Sequence, residues 1–293
     1  MRFGAVFIAD EEDGSGGCGI TEAAKLGALD SFKNGPVVWM DSADARPCLG
    51  TGGAIQWRLT CKGKQFHSGV VDQAVNSIEM GVDAFAKVQA EFHRTFAAHP
   101  KEKEYGFTIS STMKITNISC SSGGLNAIRG ECIIEGDCRL TPFYDIEKVV
   151  ATLEKAVAKV NEEMATLVDP EVRGPHSKYV IPSCTGSVEL SFIGPHMEGV
   201  AVEVEGLGYS LLKRGLEASG CTDAPFAITG SLPLVRDLQR GGMDLLIVGF
   251  GYMSAYHAVN EYACINNMAK GFSTVRYMLE KYADEKPNKK ARK

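Results

Sequence analysis

No apolar run in this 293-residue sequence approaches the roughly 20 residues that a membrane helix needs. A basic excess is missing too. Lys and Arg number 31 against 36 Asp and Glu, for a net charge of −5, which argues against a nucleic-acid or anionic-membrane surface. Nine cysteines are scattered without one CxxC pair, so neither a zinc ribbon nor a disulfide framework is expected. Free, partly buried thiols in a reducing compartment, the cytoplasm, fit this usage better. Met1 and Arg2 lead into a few apolar or small residues and then acids, so no secretory leader is expected. Nothing repeats at a fixed period. What is present is 44% hydrophobic residues, enough for a real core, and a length suited to two modest domains or one large one.

Local patterning predicts an α/β protein. Ala5 to Ala9 reads as a buried strand, followed by a glycine-rich turn and a helix from about Thr21 to Leu29, with Thr21 as its N-cap. Val37 to Met40 reads as a second strand ending on Asp41. Ala54 to Cys61 alternates like a half-exposed strand. A helix over Asn76 to Phe96 places Ile78, Val82, Phe85, Val88 and Phe92 on one face. Strands are expected over 107–118, 130–140, 188–193 and 200–204. A second amphipathic helix spans 145–167, with Val149, Leu153, Val157, Val160 and Met164 recurring. This β-α-β-β-α-β order is that of a split βαβ sandwich. Helices at 207–219 and 260–281 flank a short strand over 245–248. The expected organisation is a first catalytic part over 1–52, an inserted domain over 53–204, a second catalytic part over 205–283, and a disordered basic tail over 284–293.

The chemistry centres on AVFIADEEDGSGGCG, where an apolar run meets Asp10, Glu11, Glu12 and Asp13. Four adjacent carboxylates repel one another, and a solvated acidic loop is the plain reading. Gly14, Gly16 and Gly19 also fit G-x-G-x-x-G, with Asp41 a further 22 residues on, as in a dinucleotide fold. Against that, a pyrophosphate would face the acids, where phosphate cradles present backbone N–H groups. Carboxylates at strand ends suit a divalent ion, with a neighbouring carboxylate taking a proton from bound water. Of six histidines, His257 follows a strand and falls at the rim expected for Glu12 and Asp41.

FIADEEDGSGGCG, WMDSADARPCLGTGG, FHSG, GGLNAIRGECIIEGDCRLTPFYD, ITGSLPLVRDLQ and GYMSAYHAVNEYA together resemble the M20 zinc aminoacylase/carboxypeptidase family, and within it the acetylornithine deacetylases of the plant and algal type. The resemblance implies a three-layer α/β catalytic domain carrying an inserted lid that forms a homodimer. It implies zinc, with cobalt as a substitute, and hydrolysis of a small N-acyl amino acid, N-acetyl-L-ornithine foremost, in arginine biosynthesis. Other N-acyl amino acids and dipeptides are alternatives. Glu11 matches the general base, and Glu12, Asp41 and His257 match metal ligands; Asp44 is a weaker match than Asp41. His67 matches the lid histidine that stabilises the oxyanion in the partner's site. Asn126 and Arg139 match lid positions that contact substrate, and Gly230 and Ser231 match a loop that meets its carboxylate.

The family's His-x-Asp triplet occurs nowhere in the sequence. The expectation is therefore a catalytic domain without its N-terminal part, with bare apolar sheet edges and a two-metal site short of ligands. A non-catalytic partner that dimerises through the lid is the reading from a different class.

Overall fold

The computed structural model describes residues 3–8, 19–33, 35–41, 44–232 and 235–285. Its elements, in chain order, are α1 (Gly19–Lys25), β1 (Pro36–Met40), β2 (Pro47–Gly50), β3 (Gly53–Lys62), β4 (Phe66–His67), α2 (Ser77–Thr95), α3 (Pro100–Tyr105), β5 (Thr112–Cys120), β6 (Ala127–Ile128), β7 (Glu131–Leu140), α4 (Ile146–Glu162), α5 (Pro170–Arg173), β8 (Val180–Ile181), β9 (Cys184–Thr185), β10 (Ser187–Met197), α6 (Leu207–Ala218), β11 (Phe226–Ala227), α7 (Val235–Arg240), β12 (Asp244–Val248) and α8 (Ile265–Glu285). They form two compact units. Unit 1 takes Met1–Gly52, Pro100–Ile109 and Glu198–Lys293; unit 2 takes Gly53–His99 and Ser110–Met197.

Unit 2 is a four-stranded antiparallel sheet in the order β10-β3-β7-β5, with α2 and α4 packed on it. Its strands alternate because one face meets the helices. Along β3, Ile55, Trp57, Leu59 and Cys61 are buried, while Gln56, Arg58 and Lys62 are exposed. Asn76 caps α2 by accepting from the amides of Ile78 and Glu79, and Asp145 caps α4 by accepting from Lys148. The α4 stripe of Val149, Leu153, Val157 and Val160 is buried as its period implies. On α2 the buried stripe is Met80, Ala84, Phe85, Val88 and Phe92; Val82 faces outward, since the face is centred one residue away from the expected one. Trp57 stacks on Phe85, ring centroids 5.4 Å apart.

Unit 1 holds a four-stranded mixed sheet in the order β1-β12-β2-β11. β1 runs parallel to β12, and β11 parallel to β2, but β12 and β2 are antiparallel. The α6 helix packs on β12 and β1 and against α8. Leu245 to Val248 are buried, as a central strand requires.

Several boundaries differ from the sequence expectation. Residues 3–8 form no strand: Phe7 is 95% exposed, and β1 stands at the sheet edge with β12 as its partner among the described residues. Apolar composition alone does not make a strand without a ladder to join. The first helix begins at Gly19, before Thr21, and ends at Lys25. β5 starts at Thr112 rather than at residue 107, because Gly106 turns the chain at φ +81° and Phe107 packs against Gly50 in unit 1. Residues 200–204 make a single bridge, Ala201 to Gly50, with Val200 and Val202 buried beside β2. The last helix starts at Ile265, since His257 and Asn260 both take left-handed backbone angles, and it runs on through Asp284 and Glu285.

Candidate active site

Glu11 and Glu12 lie outside the described residues. Asp41 follows directly on β1. Its Oδ1 accepts a hydrogen bond from the Tyr256 hydroxyl at 2.8 Å, and its Oδ2 accepts one from Trp39 Nε1 at 3.5 Å. Trp39 lies on the same face of β1 two residues earlier, so the strand itself aims both side chains together. His257 enters from the adjoining strand: β12 is parallel to β1 with Val248 opposite Met40, and the chain leaving β12 stays at that rim. The His257 ring meets the Tyr256 ring edge-on with centroids 5.2 Å apart. One tyrosine thus touches both Asp41 and His257. The imidazole is exposed; the His257 backbone is at φ +53°, and its main-chain amide donates to Glu261 Oε2 at 3.2 Å.

Asp44 plays another part. Its Oδ1 accepts from the Met253 amide at 3.1 Å, and its own amide donates to the Gly251 carbonyl at 2.9 Å. With Ala45 donating to Gly249, it ties the loop after β1 to the loop after β12. Asp44 therefore fixes the rim on which Asp41 and His257 sit.

Gly230 and Ser231 lie in the loop after β11. The Gly230 carbonyl accepts from the Gly52 amide at 2.7 Å, and a Cβ on Gly52 would come within 2.3 Å of the Thr229 carbonyl oxygen. Only glycine allows that approach. Because β2 is antiparallel to β12, this loop is at the opposite end of the sheet from Asp41, about 15 Å away along the strands.

In unit 2, β4 pairs with β6, which sets His67 opposite Ala127, and the Ser68 amide donates to the Asn126 carbonyl at 2.9 Å. His67 and Asn126 are neighbours on one exposed edge, next to the fully exposed Leu125. His67 Nδ1 accepts from the Gly69 amide at 3.0 Å, so the neutral ring carries its proton on Nε2 and presents a donor outward. Arg139 is at the far end of β7, about 27 Å along the strand from Glu131, where the loop bearing Asn126 joins it. Its Nε donates to Asp137 Oδ2 at 2.7 Å, and its side chain is 41% exposed. The structure brings His67 and Asn126 together, and separates both from Arg139.

Among the described residues, no three His, Cys, Asp or Glu side chains cluster to hold a metal ion. Asp41 and His257 make two candidate ligands, one short of the three protein ligands of a catalytic zinc, and both Asp41 oxygens already accept hydrogen bonds. These residues alone do not fit a metal centre. Sequence reasoning did not anticipate Tyr256 and Trp39. The tryptophan was legible as an i, i+2 neighbour of Asp41; the tyrosine, 215 residues away, was not.

Residues 49–165 match the peptidase dimerisation domain of the M20 type. The chain is 44% identical over 271 residues to an acetylornithine deacetylase of Arabidopsis thaliana, covering 92% of this chain and 61% of that protein. It is 42% identical over 287 residues to one of Dictyostelium discoideum, covering 94% and 64%. The chain thus shares the M20-type dimerisation domain and is similar to these deacetylases along almost its whole length. It spans a little over three fifths of the length of these relatives. Its fold is that of an M20 metallo-carboxypeptidase from Sulfolobus solfataricus, with a TM-score of 0.61 at 16% identity, covering 93% of this chain and 68% of that one. Unit 2 makes up most of the matched dimerisation domain. No helix among the described residues is long and apolar enough to cross a membrane.

Proposed function

We propose that the chain serves hydrolysis of N-acyl amino acids, N-acetyl-L-ornithine to ornithine and acetate first among them, in the arginine pathway of the cytoplasm. The observation that carries this reading is the likeness to two deacetylases along almost the whole chain. Glu11 takes a proton from the attacking water and returns it to the leaving amine. Glu12, Asp41 and His257 are the chain's candidate ligands for zinc, or cobalt in its place, which would polarise the acyl carbonyl and the water. Arg139 is the candidate clamp for the substrate carboxylate, as a planar guanidinium does best, and Gly230 and Ser231 are candidates for the same group by resemblance alone.

The reading includes a homodimer formed through unit 2. His67 and Asn126 stand together on an exposed edge, away from Arg139, which supports their serving a different site from the one Arg139 serves: that of the partner. There the Nε2–H of His67 is a donor suited to a developing oxyanion. Acetate release by the purified chain at saturating zinc tests the proposal. Release from N-acetyl-L-ornithine above other N-acetyl amino acids supports it, and hydrolysis of dipeptides to free amino acids without any acetate release from N-acetyl substrates overturns the substrate.

A second reading has its own observation. Unit 2 is a complete split sandwich with a continuous core, while the described rim offers two candidate ligands. The chain would then be a non-catalytic partner that dimerises with a longer relative and lends it His67. Co-purification with such a relative, without hydrolysis by the chain alone, favours this reading; a strictly self-associating chain that hydrolyses its substrate excludes it.

A further inference from the structure

We propose that Cys120 and Cys132 are a redox-responsive thiol pair, closing under oxidation to a disulfide that staples the base of the loop carrying Asn126. Cys120 ends β5 and stands directly opposite Cys132 on β7. The Ser121 amide donates to the Glu131 carbonyl at 3.1 Å, which makes 121/131 a hydrogen-bonded pair and the adjacent 120/132 a non-hydrogen-bonded one. Such pairs bring Cα atoms to about 4.5 Å, inside the range of about 4.4–6.8 Å that a disulfide spans.

Cys61 is also opposite Cys132, on β3. The Gly63 amide donates to the Gly130 carbonyl, so 61/132 falls on the wider, hydrogen-bonded type of pair. Cys61 and Cys132 are fully buried, whereas Cys120 is exposed at the strand end. Cys120 is thus the sulfur a reagent reaches first. Burial, then the neighbouring Cys120 and Cys61, pushes the Cys132 thiol up to about 12, which makes it the slow, second partner.

The oxidant class is a small-molecule disulfide, for which glutathione disulfide is the probe. The Cys120 thiolate attacks one of its sulfurs, and one glutathione thiolate leaves. The Cys132 thiolate then attacks the Cys120 sulfur, and the second glutathione leaves. Two protein thiols give up two protons and two electrons, and one glutathione disulfide becomes two glutathione thiols. The bridge closes a loop over residues 121–131, which includes Asn126 and β6, the strand that pairs with His67.

The test is alkylation trapping and peptide mapping of the full chain after incubation with glutathione disulfide. The expected result is the loss of two free thiols per chain and a Cys120–Cys132 linked peptide, with slower amide exchange across 121–131. Cys132→Ser should stop at a mixed disulfide on Cys120, and Cys120→Ser should leave Cys132 unmodified. A wild-type chain that stops at the mixed disulfide, links Cys61 to Cys132, or links Cys120 between two chains would overturn the proposal. Because the wild-type map decides the outcome, a variant that fails to fold does not.

Discussion

Asp83 is the carboxylate with the most structural work in unit 2. It takes both Arg173 Nε and Nη2, at 3.2 and 2.6 Å, and the hydroxyl of the buried Tyr179 at 2.6 Å, and so holds α5 and the approach to the β8–β9 hairpin against α2. Asp83→Asn is expected to cost about 2 kcal/mol, since charged hydrogen bonds become neutral around a buried phenol, read as a lower urea midpoint. Gly52→Ala should cost about 1–3 kcal/mol by pushing the Gly230 loop off β2, seen as a lower melting temperature. Burial, chiefly, raises the thiols of Cys48, Cys61 and Cys132 to about 12, and raises Tyr179 too, Asp83 adding to the effect. Each folded-state pKa is above its unfolded value, so the stability these groups contribute is complete below about pH 9 and lost as pH rises toward 12. Urea midpoints at pH 7.5 and 10.5 check this: the second should be lower, and Tyr179→Phe should lose part of the difference. At this scale the sequence made Asp41 and His257 legible as strand-end residues. It could not reveal that Tyr256 bridges them, nor that Asp44 is a loop tie, because both depend on contacts across more than 200 residues.

Elements with a strong period were readable, and those made by pairing were not. The α2 and α4 helices, β3 and β7 follow from their alternating or 3.6-residue patterns and from the caps Asn76 and Asp145. β2, β11, β4 and β6 are two to four residues long and exist only because a partner strand lies beside them. A two-residue strand leaves no period in a sequence. The edge strand β5 carries the testable consequence. Amide direction alternates along a strand, and Ser121 points at β7, so Ser119 and Asn117 do as well, while Ile118 and Cys120 point to the open edge. Ile118 is 47% exposed. Proline at 118 removes an outward amide without breaking a β5–β7 bond, a place where edge strands accept it. Ile118→Pro should keep the far-UV spectrum while blocking any strand that adds to this edge. A collapsed spectrum would mean that the amide is used inside the unit, and Ile118→Lys, which charges the edge instead, would then carry the test.

On the scale of the molecule, unit 2 is self-sufficient in its core and its caps, while the candidate rim of Asp41 and His257 is sparse in ligands among the described residues. Glu12, Asp41 and His257 cannot give each of two ions three protein ligands. Zinc retained after dialysis should therefore not exceed one ion per chain, measured by elemental analysis, and His257→Ala should lower it. Two tightly held zinc ions per chain would contradict the ligand count. Both functional readings rest on one assembly, a dimer made through unit 2, so its measurement bears most directly on the account. Sedimentation equilibrium of the purified chain at micromolar concentration decides it. The prediction is twice the chain mass. A monomer would contradict it.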